Sequence, residues 1–398
     1  MNILIGVSIA IAVLTGLVLL LWLLFEWQYT TRQGNLLEFD GGLWQFLTYE
    51  PDHYRLELIL TATNKTRSLD VFLVEVNPVI SMLSNDSLDG INSQVELRSR
   101  HPNSASRNDN YWESYIVTPD HSTGIEILID LSGKNLEELK TVWVRVHYTI
   151  YGPAGREEKV KHCIIPLQFP DPNQRERWRP TPDADVLPIR THILSAGDNP
   201  VEVMQRYVVS HAQAGDIVTI AETPIAIMQG NFYHPSDIQP KWLAKRLCYY
   251  FKSTSSLATA CGLQSLINES GAWRVAFAFI VGALAKAFLR MPGVFYMLAG
   301  DQARLIDDVT GTLPPYDQFI VLGPKNPQAV VDEIKAGTGL EAAIVDVNDL
   351  RRVKVLAATS GVSEKLLNQA LLMNPAGNAA EQTPIVLIRP NIAIRNEL

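Results

Sequence analysis

The sequence predicts a mixed α+β domain preceded by an all-β, sandwich-like domain and one N-terminal transmembrane helix. Three observations carry this reading. Ile3–Phe25 contains no charged residue. Apolar and polar residues alternate through much of residues 34–169. Beyond a proline-rich stretch at 170–185, strand-like and helix-like patterns follow one another. The expected organisation is a membrane segment at 1–30, a β domain at 34–169, a linker at 170–185 and a mixed domain at 186–398.

The apolar run Ile3–Phe25 is 23 residues long, which as a helix spans about 35 Å against a hydrocarbon core of about 30 Å. Trp22 and Trp27 sit where an interfacial aromatic belt belongs. A cleavable signal needs a basic start and a short apolar core, whereas this chain begins Met-Asn-Ile and the run is long. An uncleaved anchor is therefore expected. Arg32 follows the run and no Lys or Arg precedes it, which points the body of the chain to the cytoplasm.

In the next segment Leu56, Leu58 and Leu60 alternate with charged neighbours, as do Ile125, Ile127 and Ile129. Val142, Val144, Val146, Tyr148 and Ile150 share one face, with Arg145, His147 and Thr149 on the other. A period of two marks strands with one wet face, and the intervening turn residues suggest a sandwich of roughly seven strands. Ser84–Asn110 is polar and reads as a long exposed loop. Pro170–Asp185 carries four prolines, so an extended, semi-rigid linker is expected there.

After it, Val186–Ile193 reads as a strand, and Asn199–His211 as a helix with Asp198 at its N-cap. Asp216–Ala221 reads as a strand entered through Gly215. Trp273–Leu289 holds Arg274 and Lys286 and is short for a clean span. A core or interface helix is the expected reading, with membrane contact the alternative.

Composition excludes some functions. A net charge of -8 disfavours a general nucleic-acid binder, which needs a basic face. Three cysteines without C-x-x-C spacing do not make a disulfide framework or a thiolate zinc site. All eight histidines lie at or before His234. A metal held by later segments would see only oxygen ligands, which favours Mg2+ or Mn2+. The phosphate-loop, dinucleotide-fold, serine-hydrolase and zinc-protease motifs are absent from the sequence.

The candidate chemistry lies in three segments: Leu305–Pro327, Ala343–Leu350 and Asn374–Pro390. Each joins an apolar run to a turn rich in acidic or amide side chains, a pattern that delivers carboxylates to a sheet edge. Together they suit a hard cation and a phosphate-bearing ligand. The local alternatives are an Asx-type turn at Asp346, a turn cap at Asp307-Asp308 and plain turn chemistry at Gly377-Asn378. His192 and His211 read as structural, and Cys261 as a small packed thiol.

Leu187-Pro188-Ile189-Arg190-Thr191, then Gly197-Asp198, then Ala214–Gly230 follow the order of the opening segment of coenzyme F-420-0:γ-glutamyl ligases. Leu305–Pro327 resembles that family's Gly-Ile-Asp-x-Ser-Asn element with its following strand, and Ala343–Leu350 its strand ending in Asp. The resemblance runs over about residues 186–390 and leaves out the apolar helix and the β domain. It implies joining of glutamate to a carboxyl group of the deazaflavin cofactor through a GTP-derived acyl phosphate, with Mg2+ or Mn2+. Asp307 and Asp346 match the metal positions, with Asp308 adjacent. Leu187, Pro188, Ile189, Arg190, Thr310 and Gln382 fall at positions for the bound nucleotide or cofactor. A homodimer is also implied.

The chain departs from the pattern where the family carries a Lys, reading Glu222-Thr223-Pro224 instead. Thr310 replaces an Asn, and Val347 a Thr. Arg190, Lys241 or Lys245 are the cations that could compensate. The competing expectation is a non-catalytic, membrane-anchored binding or scaffold protein that keeps the fold. A lipid-facing or transport accessory role is the third.

Overall fold

The structure is a computed structural model. It describes residues 2–391 apart from 32–33, 108, 173–176, 292, 309–312, 349–351 and 378–380; the side chains of residues 2–4, 307, 308 and 348 also lie outside the description. The chain divides into two compact units. One comprises Met1–Val79, Ser93–Leu131 and Arg145–His162; the other comprises Ile80–Asn92, Ser132–Val144 and Cys163–Leu398.

The chain opens with α1 (Asn2–Thr31), whose described side chains are all exposed. Within it, Ile5–Thr31 is long and apolar enough to cross a membrane. Its threonine hydroxyls bond within the helix. Thr15 Oγ1 donates to the Ile11 carbonyl at 2.8 Å and Thr31 Oγ1 to that of Trp27 at 2.6 Å, which suits a segment surrounded by hydrocarbon.

Eight strands follow: β1 (Leu37–Glu50), β2 (His53–Asn64), β3 (Val71–Ser84), β4 (Ile91–Arg100), β5 (Tyr115–Val117), β6 (Ser122–Gly133), β7 (Leu139–Gly152) and β8 (Gly155–Pro166). They form two four-stranded sheets, ordered β1-β2-β6-β4 and β5-β3-β7-β8. The alternation read from the sequence is the burial pattern of the strands. Leu56, Leu58, Leu60, Ile125, Ile127, Ile129, Val142, Val144 and Val146 are all buried. Ser84–Asn110 corrects the loop expectation, since β4 lies inside it. This strand is at a sheet edge, where pairing on one side satisfies the backbone and no apolar face is required.

The rest of the chain builds β9 (Arg179–Pro180), β10 (Ala184–Ile189), α2 (Pro200–Tyr207), β11 (Ile217–Ala221), α3 (Glu222–Met228) and β12 (Phe232–Tyr233). A helical stretch follows: α4 (Trp242–Leu247), α5 (Ala260–Ser270), α6 (Ala272–Phe288), α7 (Val294–Ala299) and α8 (Gln302–Leu305). The chain ends with β13 (Asp307–Asp308), β14 (Ile320–Val321), α9 (Pro327–Thr338), β15 (Glu341–Asn348), β16 (Arg352–Ala358), α10 (Glu364–Leu371) and β17 (Ile385–Pro390).

A six-stranded sheet, ordered β16-β15-β11-β17-β10-β9, organises this part. α2 and α9 cover one face, placing Met204, Tyr207, Val331 and Ile334 against Leu187, Val218, Ile220 and Leu387. α10 covers the other, with Leu367 and Leu371 against Val186, Ile217, Val345 and Val386. Both faces are dry, which is why these strands read as continuous apolar runs.

Two local expectations change. The N-cap of α2 is Asn199, whose Oδ1 accepts from the Val201 and Glu202 amides; Asp198 is used elsewhere. The second half of the proline-rich stretch is docked. Arg179–Pro180 pairs with β10 as an edge strand, a position where proline loses no ladder bond. The buried Asp216 carboxylate receives Arg389 at 2.7 Å, and the Arg389 guanidinium lies 4.2 Å over the Trp178 ring, which ties that stretch to the sheet.

Candidate functional site at one edge of the six-stranded sheet

Strand direction determines which sequence segments meet. β15 runs parallel to β11, with Ala221 opposite Val345. β17 is antiparallel to both β11 and β10, with Ile385 opposite Ile220 and Ile189. β16 is antiparallel to β15, with Lys354 opposite Asp346 and Arg352 opposite Asn348. The ends of β10, β11 and β15 and the starts of β16 and β17 therefore share one sheet edge. That edge gathers Arg190, Glu222, Asp346, Lys354 and the Gln382–Pro384 approach to β17. In open α/β sheets the edge beyond the carboxyl ends of the parallel strands is where ligands bind.

Two backbone bonds hold the approach in place: Thr191 N donates to the Gln382 carbonyl at 3.1 Å and Ala221 N to that of Pro384 at 3.1 Å. Gln382 is buried and left-handed, with φ 55°. Arg190 is exposed, whereas Leu187, Pro188 and Ile189 are buried strand residues. Their direct role is packing, and what they carry to the edge is Arg190.

Asp346 is half-buried, and burial raises its carboxyl above the usual range, only partly countered by the Lys354 ammonium. A cation at this edge would favour the carboxylate form. Asp307 and Asp308 form β13 in a separate three-stranded sheet, ordered β12-β14-β13, and their side chains lie outside the described residues, as does Thr310. Among the described residues no group of three or more His, Cys, Asp or Glu is placed to hold a metal ion. Asp346 is thus the one predicted metal ligand whose side chain is described.

The Glu222-Thr223-Pro224 departure has a local explanation. These residues are the first turn of α3, where a carboxylate suits the dipole and proline lacks only an amide that would be unbonded anyway.

A network that sequence reading missed braces the loop after β10. His192 is buried, with Nδ1 2.8 Å from the Tyr207 hydroxyl and Nε2 2.9 Å from Asp198 Oδ1. Asp198 Oδ2 accepts from Ser195 N at 2.7 Å and from Ser195 Oγ at 3.0 Å. Burial pushes the Asp198 carboxyl up, but His192 and Ser195 outweigh it and hold it below its ordinary value. The carboxylate is thus ionised, and Nε2 carries the proton between them. His211, also read as structural, bonds through Nε2 to the Pro172 carbonyl at 2.8 Å. The one advance signal was the six-residue spacing of His192 and Asp198 across a Gly-containing turn, which pattern reading does not separate from chance.

Comparison with curated proteins gives no match. Among solved structures, a protein from Archaeoglobus fulgidus is similar at 10% identity over 33% of this chain and 98% of that one, with a TM-score of 0.21. The GAE domain of GGA2p from Saccharomyces cerevisiae is similar at 11% identity over 34% and 93%, with a TM-score of 0.20. Scores this low carry no argument about fold or function. Residues 38–169 match the family model described as F420-0:gamma-glutamyl ligase, N-terminal Ig-like domain. The match falls on the β domain, the part that the resemblance of residues 186–390 had left out. The similarity to the F420-0:gamma-glutamyl ligases that this model shows is to their N-terminal Ig-like domain and covers residues 38–169.

Proposed function

We propose that the protein is a membrane-anchored ligase that forms an amide bond between glutamate and an acyl acceptor such as coenzyme F-420-0, using GTP and Mg2+ or Mn2+. The observation that carries this reading is the match of residues 38–169 to the Ig-like domain of that ligase family, in a chain whose later segments resemble the same family. Amide formation through an acyl phosphate brings several negative charges together, so a site needs cations and ordered positive groups. The sheet edge offers Arg190 and Lys354 for phosphate oxygens and Asp346 for a divalent ion; in this reading Asp307 and Asp308, from the separate β12-β14-β13 sheet, are its further ligands. α1 is the anchor in this reading, with the remaining chain in the cytoplasm and the active form a homodimer.

The second reading is a non-catalytic, membrane-anchored scaffold. It is favoured by Glu222-Thr223-Pro224, which opens α3 where the family has a phosphate-binding Lys. Losing such a charge-assisted contact costs about 1.5–3 kcal/mol.

Thermal unfolding of the full-length chain in detergent separates the two. GTP at a hundred times its dissociation constant adds about 2.7 kcal/mol, a rise of a few degrees for a domain of this size. The ligase reading expects that rise with Mg2+ or Mn2+, and its loss in Asp346→Ala. Absence of any shift with either metal and either GTP or ATP sinks it and leaves the scaffold.

A further inference from the structure

α6 is built with its small residues inward. Val275, Ala278 and Ala285 are buried, and at Gly282 the backbone passes so close to α7 that an added Cβ would lie 2.9 Å from Phe295. The large apolar residues point the other way. Trp273 is 90% exposed, Phe277 61%, Ile280 59%, Leu284 51% and Phe288 80%. Their spacing of four, three, four and four residues aligns them on one face about 22 Å long. The expectation was a core or interface helix: α6 packs on α5 and α7 and leaves its larger apolar surface uncovered. An apolar face of this kind marks a contact with another phase or molecule.

Charge says which. Residues 241–290 hold seven Lys and Arg and one acid, Glu269, in a chain of net charge -8. All seven basic side chains are exposed, Arg274, Lys286 and Arg290 among them. Tyr250, 76% exposed, sits with its ring 5.5 Å from that of Phe279 on the same helix. Trp and Phe on one face with Lys and Arg flanking them is the composition of a helix lying in a lipid interface, and aromatic rings with polar edges favour that depth. A second copy fits less well, because a twofold contact would set this basic surface against itself. α1 supplies the remaining argument. A chain held by an apolar helix has a bilayer always within reach, at high effective concentration.

We propose that the α6 face is a second membrane contact, lying flat in the headgroup region of an anionic bilayer. This goes beyond the ligase reading and does not depend on it.

The test uses the full-length chain in nanodiscs of phosphatidylcholine with brominated acyl chains, with or without phosphatidylserine. Bromine quenches tryptophan on contact, and Trp273→Phe isolates the share of Trp273 from that of Trp22 and Trp27. The expected result is strong quenching of Trp273 in anionic discs, falling severalfold in neutral discs, in high salt and in Lys286→Gln/Arg290→Gln. Phe277→Asp should abolish it while hydrogen exchange in α5 and α7 stays unchanged, showing an intact fold. Absence of a Trp273 share in anionic discs overturns the proposal, as does quenching that ignores headgroup charge. Unquenched Trp273 together with a halving of particle mass in Phe277→Asp would assign the face to a second copy.

Discussion

Replacing Arg389 by Met tests how the six-stranded sheet is held together. The Asp216 carboxylate is fully buried. It accepts from Arg389 Nε at 3.1 Å and Nη2 at 2.7 Å, and from the Gln213 amide at 2.9 Å. Arg389 Nη2 also donates to the His211 carbonyl at 3.1 Å. Methionine keeps the unbranched apolar stem but leaves a buried negative charge without its cation. Breaking a buried pair in this way costs about 3–5 kcal/mol, equivalent to at least about a hundredfold in an equilibrium constant. Hydrogen exchange read by mass spectrometry reports that opening locally. Amides of Ile217–Ala221 and Ile385–Arg389 should exchange faster by about that factor, and those of β2 should not change. Asp216→Asn in the same chain should recover much of the loss, because the stranded charge is gone. A rise of less than about tenfold in Arg389→Met would be the size expected of a solvent-screened pair, and the clamp would then be unimportant.

Other consequences follow from single sites. Asn199→Ala should lower stability by about 1 kcal/mol in chemical unfolding, and Asn199→Gly by only a few tenths, since Asn199 rather than Asp198 caps α2. Asp198→Asn should weaken the brace on the loop carrying Arg190. The Asp198 pKa is lowered in the folded protein, so its contribution is complete above the ordinary carboxylate value of about 3.9 and is lost as pH falls through the folded value; a pH series of melting temperatures that runs parallel for wild type and Asp198→Asn in acid would refute this. His101 is stacked on Tyr115 and bonded to Thr123, and burial above all lowers its pKa. The unfolded chain then binds more protons, so stability should be intact above about pH 6.5 and fall below it, with the slope reduced in His101→Gln. Gly262→Ala would place a Cβ 2.2 Å from the Ser256 carbonyl oxygen, and should lower stability by about 1–3 kcal/mol in thermal unfolding.

Much of the edge site was legible in residues but not in arrangement. Asp346 was selected because it closes an apolar run, and Arg190 and Gln382 because they fall at positions the resemblance implies; the strand pairing brings these segments to one edge. Nothing local announced that Lys354 would stand opposite Asp346, because that depends on β16 folding back on β15 with a register shift between Ile344 and Val345. His192 looked isolated for a similar reason: its partners Asp198 and Tyr207 lie six and fifteen residues away across a turn and a helix.

The sequence by itself determined the elements whose burial has one simple period. An uncharged run of 23 residues can only be a long apolar helix, and alternation at Leu56, Leu58 and Leu60 can satisfy a core on just one side of a strand. The run at Ile217–Ala221 read as a strand, and the structure covers it on both faces with helices. Only the tertiary structure decided where polar and mixed segments go. β4 becomes a strand because β6 offers its hydrogen bonds, not because its side chains demand burial. α6 turns its large residues outward because Gly282, Ala278 and Val275 let α5 and α7 approach closely on the other side. A pattern reports how much of a segment is apolar, whereas the neighbour that reaches it first decides which side is dry.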